Sequence, residues 1–221
     1  MSVNASHPYY PLDLELPTYV PNTHSMEFIL LVFFAGLVAT IYFANNILVP
    51  HQSLSRRLTF IWILVSGIIH TTIEAYYVVN VYDLPSQTNY FADLHKEYSK
   101  SDSRYLTQNS FVWAVEFLTA FVVGPLCLLA CYFAYRDNPI YKLLYTVISV
   151  SHIYGTITYY ITALFNGDIY CTPLPLYRYF YFAFMNTNWI VIPLIVLYGC
   201  GRDIYRGLVL LKDSTFEYKR K

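Results

Sequence analysis

The chain has 221 residues, 56% of them hydrophobic, 19% aromatic and only 13% charged, against about 25% charged in ordinary soluble domains. With a mean hydropathy of +0.38, a water-soluble fold is excluded. Fourteen basic and fourteen acidic residues balance to zero formal charge, so no net field draws the protein to polyanions, and no nucleic-acid partner is expected.

The length and the lack of a linker composition give one domain, 1–221. The first 25 residues carry Pro8, Pro11, Pro17 and Pro21 and no Lys or Arg. The basic region of a cleavable signal peptide is absent there, so the first helix should direct insertion. A bilayer core about 30 Å thick needs about 20 mostly apolar helical residues, and five stretches qualify, near 26–49, 58–82, 108–135, 142–166 and 177–201. Segments 28–55, 143–167 and 179–201 contain no Asp, Glu, Lys or Arg, whereas 58–82 and 105–135 each hold one acid, Glu74 and Glu116. The expected fold is an all-α membrane protein, a bundle of five transmembrane helices enclosing a cavity. Loop 83–107 is polar and broken by Pro85 at its start; it should form a cap or a short interfacial helix. Residues 202–221 read as a tail whose closing Glu217–Lys221 is solvated.

Basic residues at the span ends set orientation. Arg56, Arg57, Arg136, Lys142 and the six from Arg202 to Lys221 lie on one side, and Lys96, Lys100, Arg104 and Arg178 on the other. The excess puts the C-terminus in the cytosol and the N-terminus in the lumen. Three of the four cysteines, Cys127, Cys131 and Cys200, lie in apolar runs, and with Cys171 they form no CxxC pair and no ligand spacing, so neither a structural disulfide nor zinc is expected.

Ionisable groups inside spans are costly and usually face a cavity or a partner. His70 and Glu74, four apart, share one helix face. At about 1.5 Å per residue, Glu74, Glu116 and Asn186 each fall about 12–13 Å below the same membrane surface. Thr158, Tyr159 and Tyr160 of the fourth span share that layer, while His152 falls nearer the cytosol. Each group also has a packing reading. The His70–Glu74 pair and Glu116 can lock helices, and Asn186 and Asn188 can hydrogen-bond between them. His152, with no acid in its own span, is read as structural, and the aromatic run Tyr177–Phe184 as an interfacial belt. Two carboxyls and an imidazole in one apolar layer nevertheless suit acid–base work. Burial disfavours the charged form, so one Glu can stay protonated while another, beside a donor, stays ionised. The sequence has no phosphate loop, nucleophile elbow or dinucleotide fingerprint, and no cofactor or metal is expected.

These residues resemble the emopamil-binding protein family of delta-8,delta-7 sterol isomerases, whose superfamily includes the sigma-2 receptor. The resemblance runs through His7-Pro8-Tyr9-Tyr10-Pro11 with Val20-Pro21-Asn22, His70-Thr71-Thr72-Ile73-Glu74, and Lys96-Glu97-Tyr98 leading to Asp102-Ser103-Arg104-Tyr105. It continues through Glu116-Phe117-Leu118-Thr119 with Gly124-Pro125, Ile153-Tyr154-Gly155, and Phe184-Met185-Asn186-Thr187-Asn188-Trp189. It implies an endoplasmic-reticulum enzyme, paired as a homodimer, with a sterol-sized cavity, a sterol substrate and an affinity for cationic amphiphilic amines. By the same resemblance His70, Glu74 and Glu116 are catalytic and Thr119, Asn186 and Trp189 support them. Tyr98, Tyr105 and Tyr159 complete the expected substrate contacts. Thr156 stands where some relatives carry an acid, so no role for an acid carries over there. A receptor without catalysis and a proton-coupled transporter are the competing classes. The first needs a carboxylate but no acid–base set, and the second lacks any sign of inverted repeats.

Overall fold

The computed structural model describes residues 7–220, with side chains described to Ser214. Among the described residues all regular structure is helical. Helix α1 (Met26–Leu48) starts on Ser25, whose hydroxyl accepts from the Phe28 amide. Helix α2 (Leu54–Asn80) carries the first polar motif. The short α3 (Tyr90–Tyr98), capped by Asn89, lies in the loop that follows. Helix α4 (Ser110–Tyr135) is capped by Asn109, whose side chain accepts from the Phe111 and Val112 amides. Helix α5 (Ile140–Phe165) is 26 residues long. Helix α6 opens as a π-helix over Leu176–Met185 and continues as α-helix over Asn186–Arg220.

Four of these, α1, α2, α4 and Leu176–Ser214 of α6, are long and apolar enough to cross a membrane. Helix α5 has the length, but its tyrosines, threonines, serines and His152 lower its apolarity; it packs most extensively against α6. The expected tail at 202–221 is corrected: the helix does not stop near 201 but continues to Arg220. No proline follows Pro193 to end it, and Arg, Leu and Lys favour helix. The side chains of Glu217–Lys221 lie outside the described residues.

Two buried clusters stack along the bundle. One joins Phe60 and Ile63 of α2 to Cys127 and Ala130 of α4, Tyr145 and Ile148 of α5, and Val196 of α6. The other joins Tyr9 and Leu16 of the N-terminal segment to Tyr77, Val81, Leu84, Ala92, Tyr105, Val112 and Tyr159. Ile63, His70 and Tyr77 recur every seven residues on one face of α2, all buried, so the heptad spacing puts the imidazole between the clusters.

The cap is denser in charge than its polar sequence suggested. Asp93, Lys96, Glu97, Asp102 and Arg104 are all buried. Lys96 pairs with Asp93 at 3.0 Å and donates to the carbonyls of Val20 and Gln87 at 3.0 and 2.7 Å. The backbone amides of Thr23 and His24 donate to Asp93 Oδ2. These bonds clamp the N-terminal segment onto α3 and satisfy charges that would otherwise be prohibitively placed.

Candidate active site

Helices α2 and α4 touch where both leave α-helical geometry. His70–Glu74 and Thr119–Val123 are π-helical turns, a widening common at functional sites. A Cβ on Gly124 would lie 2.8 Å from Thr71 Cγ2 and 2.9 Å from His70 Cβ, and one on Gly67 would lie 2.9 Å from Leu128 Cδ2. Only glycine permits this approach, which brings Thr119 to Glu74.

Glu74 is the hub. Its Oε2 lies 2.7 Å from His70 Nδ1 and accepts the hydroxyl of Thr119, which also lies 3.0 Å from the backbone carbonyl of Glu116. Glu116 in turn accepts from the hydroxyl of Tyr105, which the cap lowers onto it. Both carboxyls and the imidazole thus form one connected group spanning α2, α4 and the cap. They line an open cleft with about 490 Å³ of empty space, its mouth included. Trp189 of α6 lies on the same wall, its ring centroid 5.1 Å from His70. The enclosed cavity expected from sequence is therefore, in this structure, a cleft with one open side.

The remaining expected residues divide. Asn186 and Tyr159 line the cleft, and Tyr159 also donates to Asp102 Oδ2 at 2.6 Å. Tyr98 adjoins the cleft through Asn186, whose amide donates to its hydroxyl at 3.0 Å. Arg104 sits over the Tyr159 ring at 4.8 Å, chelates Asp102 and donates to Thr162 at 2.9 Å. Tyr98, Tyr105 and Tyr159 are thus each tied to the cap.

His152, expected from the sequence to be structural, packs beside the site. Its Nε2 lies 3.0 Å from His70 Nε2, and its ring packs 4.9 Å from Trp189. His70 lies one turn below Glu74 on α2, so the contact fits the deeper position expected for His152, and its partner comes from another helix, which a search within its own span could not reveal. The available signal was its spacing of seven from Tyr159, which puts both on one face of α5. Ser151, Gly155 and Thr156 of that helix line the cleft as well.

The fold and the cleft define an all-helical membrane protein with a buried acid–imidazole group open to a mostly apolar space. The EXPERA (EXPanded EBP superfamily) profile matches residues 90–200. A protein of Arabidopsis thaliana named "Probable 3-beta-hydroxysteroid-Delta(8),Delta(7)-isomerase" is 34% identical over 95% of this chain and 94% of its own. The 3-beta-hydroxysteroid-Delta(8),Delta(7)-isomerase of Cavia porcellus is 32% identical over 100% and 98%. A protoglabretal synthase of Ailanthus altissima is 31% identical over 90% and 93%. The chain belongs to the EBP family of the EXPERA superfamily.

Proposed function

We propose that this protein is a cofactor-independent sterol isomerase that moves a ring double bond from C8=C9 to C7=C8. Protonation at C9 uses the alkene electron pair and leaves a tertiary cation at C8. Loss of a proton from C7 returns an electron pair to form C7=C8, so one proton enters and one leaves. An acid and a base suffice. The observation that carries this reading is the bonded group Thr119–Glu74–His70 beside Glu116–Tyr105 on one cleft wall.

In this reading His70 and Glu74 are the proton-transfer pair, and Glu116 is the carboxylate that faces the cation, with Trp189 offering its ring. Cationic amphiphilic amines bind because they carry the same charge in the same place. Five spans, with α5 as the fourth, put the N-terminus and cap in the lumen of the endoplasmic reticulum and the C-terminus in the cytosol, and the protein works as a homodimer. Sterol profiling of cells that lack the isomerase and express this chain tests the activity. Delta-8 sterols should disappear in favour of delta-7 sterols; their continued accumulation, with the protein present in the membrane, would sink the reading.

A further inference from the structure

His70 has two ring nitrogens, and both are committed. Nδ1 faces Glu74 Oε2 at 2.7 Å, and Nε2 faces His152 Nε2 at 3.0 Å. A neutral imidazole donates through one nitrogen and accepts through the other, so the two rings share a single proton across the 3.0 Å contact. His152 is 4% exposed and held edge-on by Trp62 and Trp189, with ring centroids 6.4 and 4.9 Å away. Its Nδ1 is buried and meets no hydrogen-bond partner among the described residues. A proton on that nitrogen would be a buried donor with nothing to accept it, which is costly; a bare lone pair there costs less. The proton of His152 therefore belongs on Nε2, pointed at His70.

We propose that His152 is a positioning residue for the His70–Glu74 pair: its Nε2–H donates to His70 Nε2 and fixes His70 as the Nδ1–H tautomer that donates to Glu74. This rests on the isomerase reading for its consequence, since it makes Glu74 the atom-level terminus at which the pair exchanges a proton with substrate. Packing alone would ask only for a flat ring against the two tryptophans, which also touch each other. The second nitrogen of His70 is the reason for an imidazole there.

Three substitutions separate the roles of the two nitrogens. In His152→Gln the amide nitrogen reaches the place of Nε2. In His152→Asn it reaches only the place of Nδ1, and His152→Leu keeps bulk without a donor. With a delta-8 sterol, His152→Gln should keep kcat within about threefold of wild type, whereas His152→Asn and His152→Leu lose about 10- to 100-fold in kcat with KM little changed. Equal kcat in all three, or a loss in His152→Gln as deep as in His152→Leu, overturns the proposal while leaving the isomerase reading standing. A wild type that converts no sterol defeats the isomerase reading instead. The 15N shifts of His70 then still decide: a single Nδ1–H tautomer in wild type and His152→Gln and averaged shifts in the other two support the proposal, and one unchanged tautomer throughout refutes it.

Discussion

The capped end of the bundle and the opposite end are held by different physics. At the capped end, buried charges and hydroxyls are bonded in three adjacent groups: Asp93 with Lys96, Asp102 with Arg104 and Tyr159, and Tyr105 with Glu116. At the other end, Phe60, Ile63, Ala130 and Ile148 pack as an ordinary apolar core, and the ion pairs Arg56–Asp137 and Lys142–Asp203 are partly exposed. Apolar packing tolerates approximate placement, but a carboxyl that must meet an imidazole and a hydroxyl does not. The site lies at the junction, braced from the cap side by directional bonds.

The sharpest way to separate the two ends is to remove a charge without removing shape. Glu74→Gln or Glu116→Gln should lower turnover by about 10²- to 10⁴-fold with an unchanged melting temperature, read from sterol conversion and thermal unfolding. Next, Arg104→Leu leaves Asp102 buried beside Tyr159 without its cation. Breaking such a pair costs about 3–5 kcal/mol, so the melting temperature and the activity should fall together. The pH response belongs to the cap too. Burial pushes His95 of α3 down to about 4 from its ordinary 6.5. Between those values the unfolded chain binds the extra proton, so this stability is complete above pH 6.5 and is lost as pH falls toward 4. It amounts to about 3 kcal/mol, and His95→Gln should flatten that step in a plot of melting temperature against pH. Although burial pushes the Asp93 carboxyl up, the donors His24, Lys96 and Thr23 hold it below the usual range, so its contribution disappears at still lower pH. The smallest effect is expected at the other end. Lys142→Met removes a partly exposed pair with Asp203 and should cost no more than about 1 kcal/mol.

Much of this was readable beforehand because membrane spans write themselves in apolar length, and an acid inside one has few innocent explanations. Glu74, Glu116 and Asn186 were placed in one layer by rise per residue alone, and the structure brings Glu74 and Glu116 together. Four spans stand out in the folded chain, while α5 is polar enough that its membrane crossing belongs to the proposal. The π-helical turns at His70–Glu74 and Thr119–Val123 were not legible, since their cause is a backbone shift that apolar periodicity does not record. Gly124 was noticed as part of a motif, but its reason, a neighbour 2.8 Å from any Cβ, exists only between helices. The contact between His70 and His152 is hidden for the same reason: the two residues are 82 positions apart in the chain. Loop 83–107 reads as a cap or a short interfacial helix, and a short helix lies there, but only folding reveals that Lys96 and Arg104 are buried.

The central claim, that the acid and imidazole group moves a substrate proton without help from a cofactor, is tested most directly by purified protein with a delta-8 sterol in deuterated water and no added cofactor. The product should be the delta-7 sterol carrying one deuterium at C9. Unchanged starting sterol, or delta-7 product with no deuterium at C9, would contradict it.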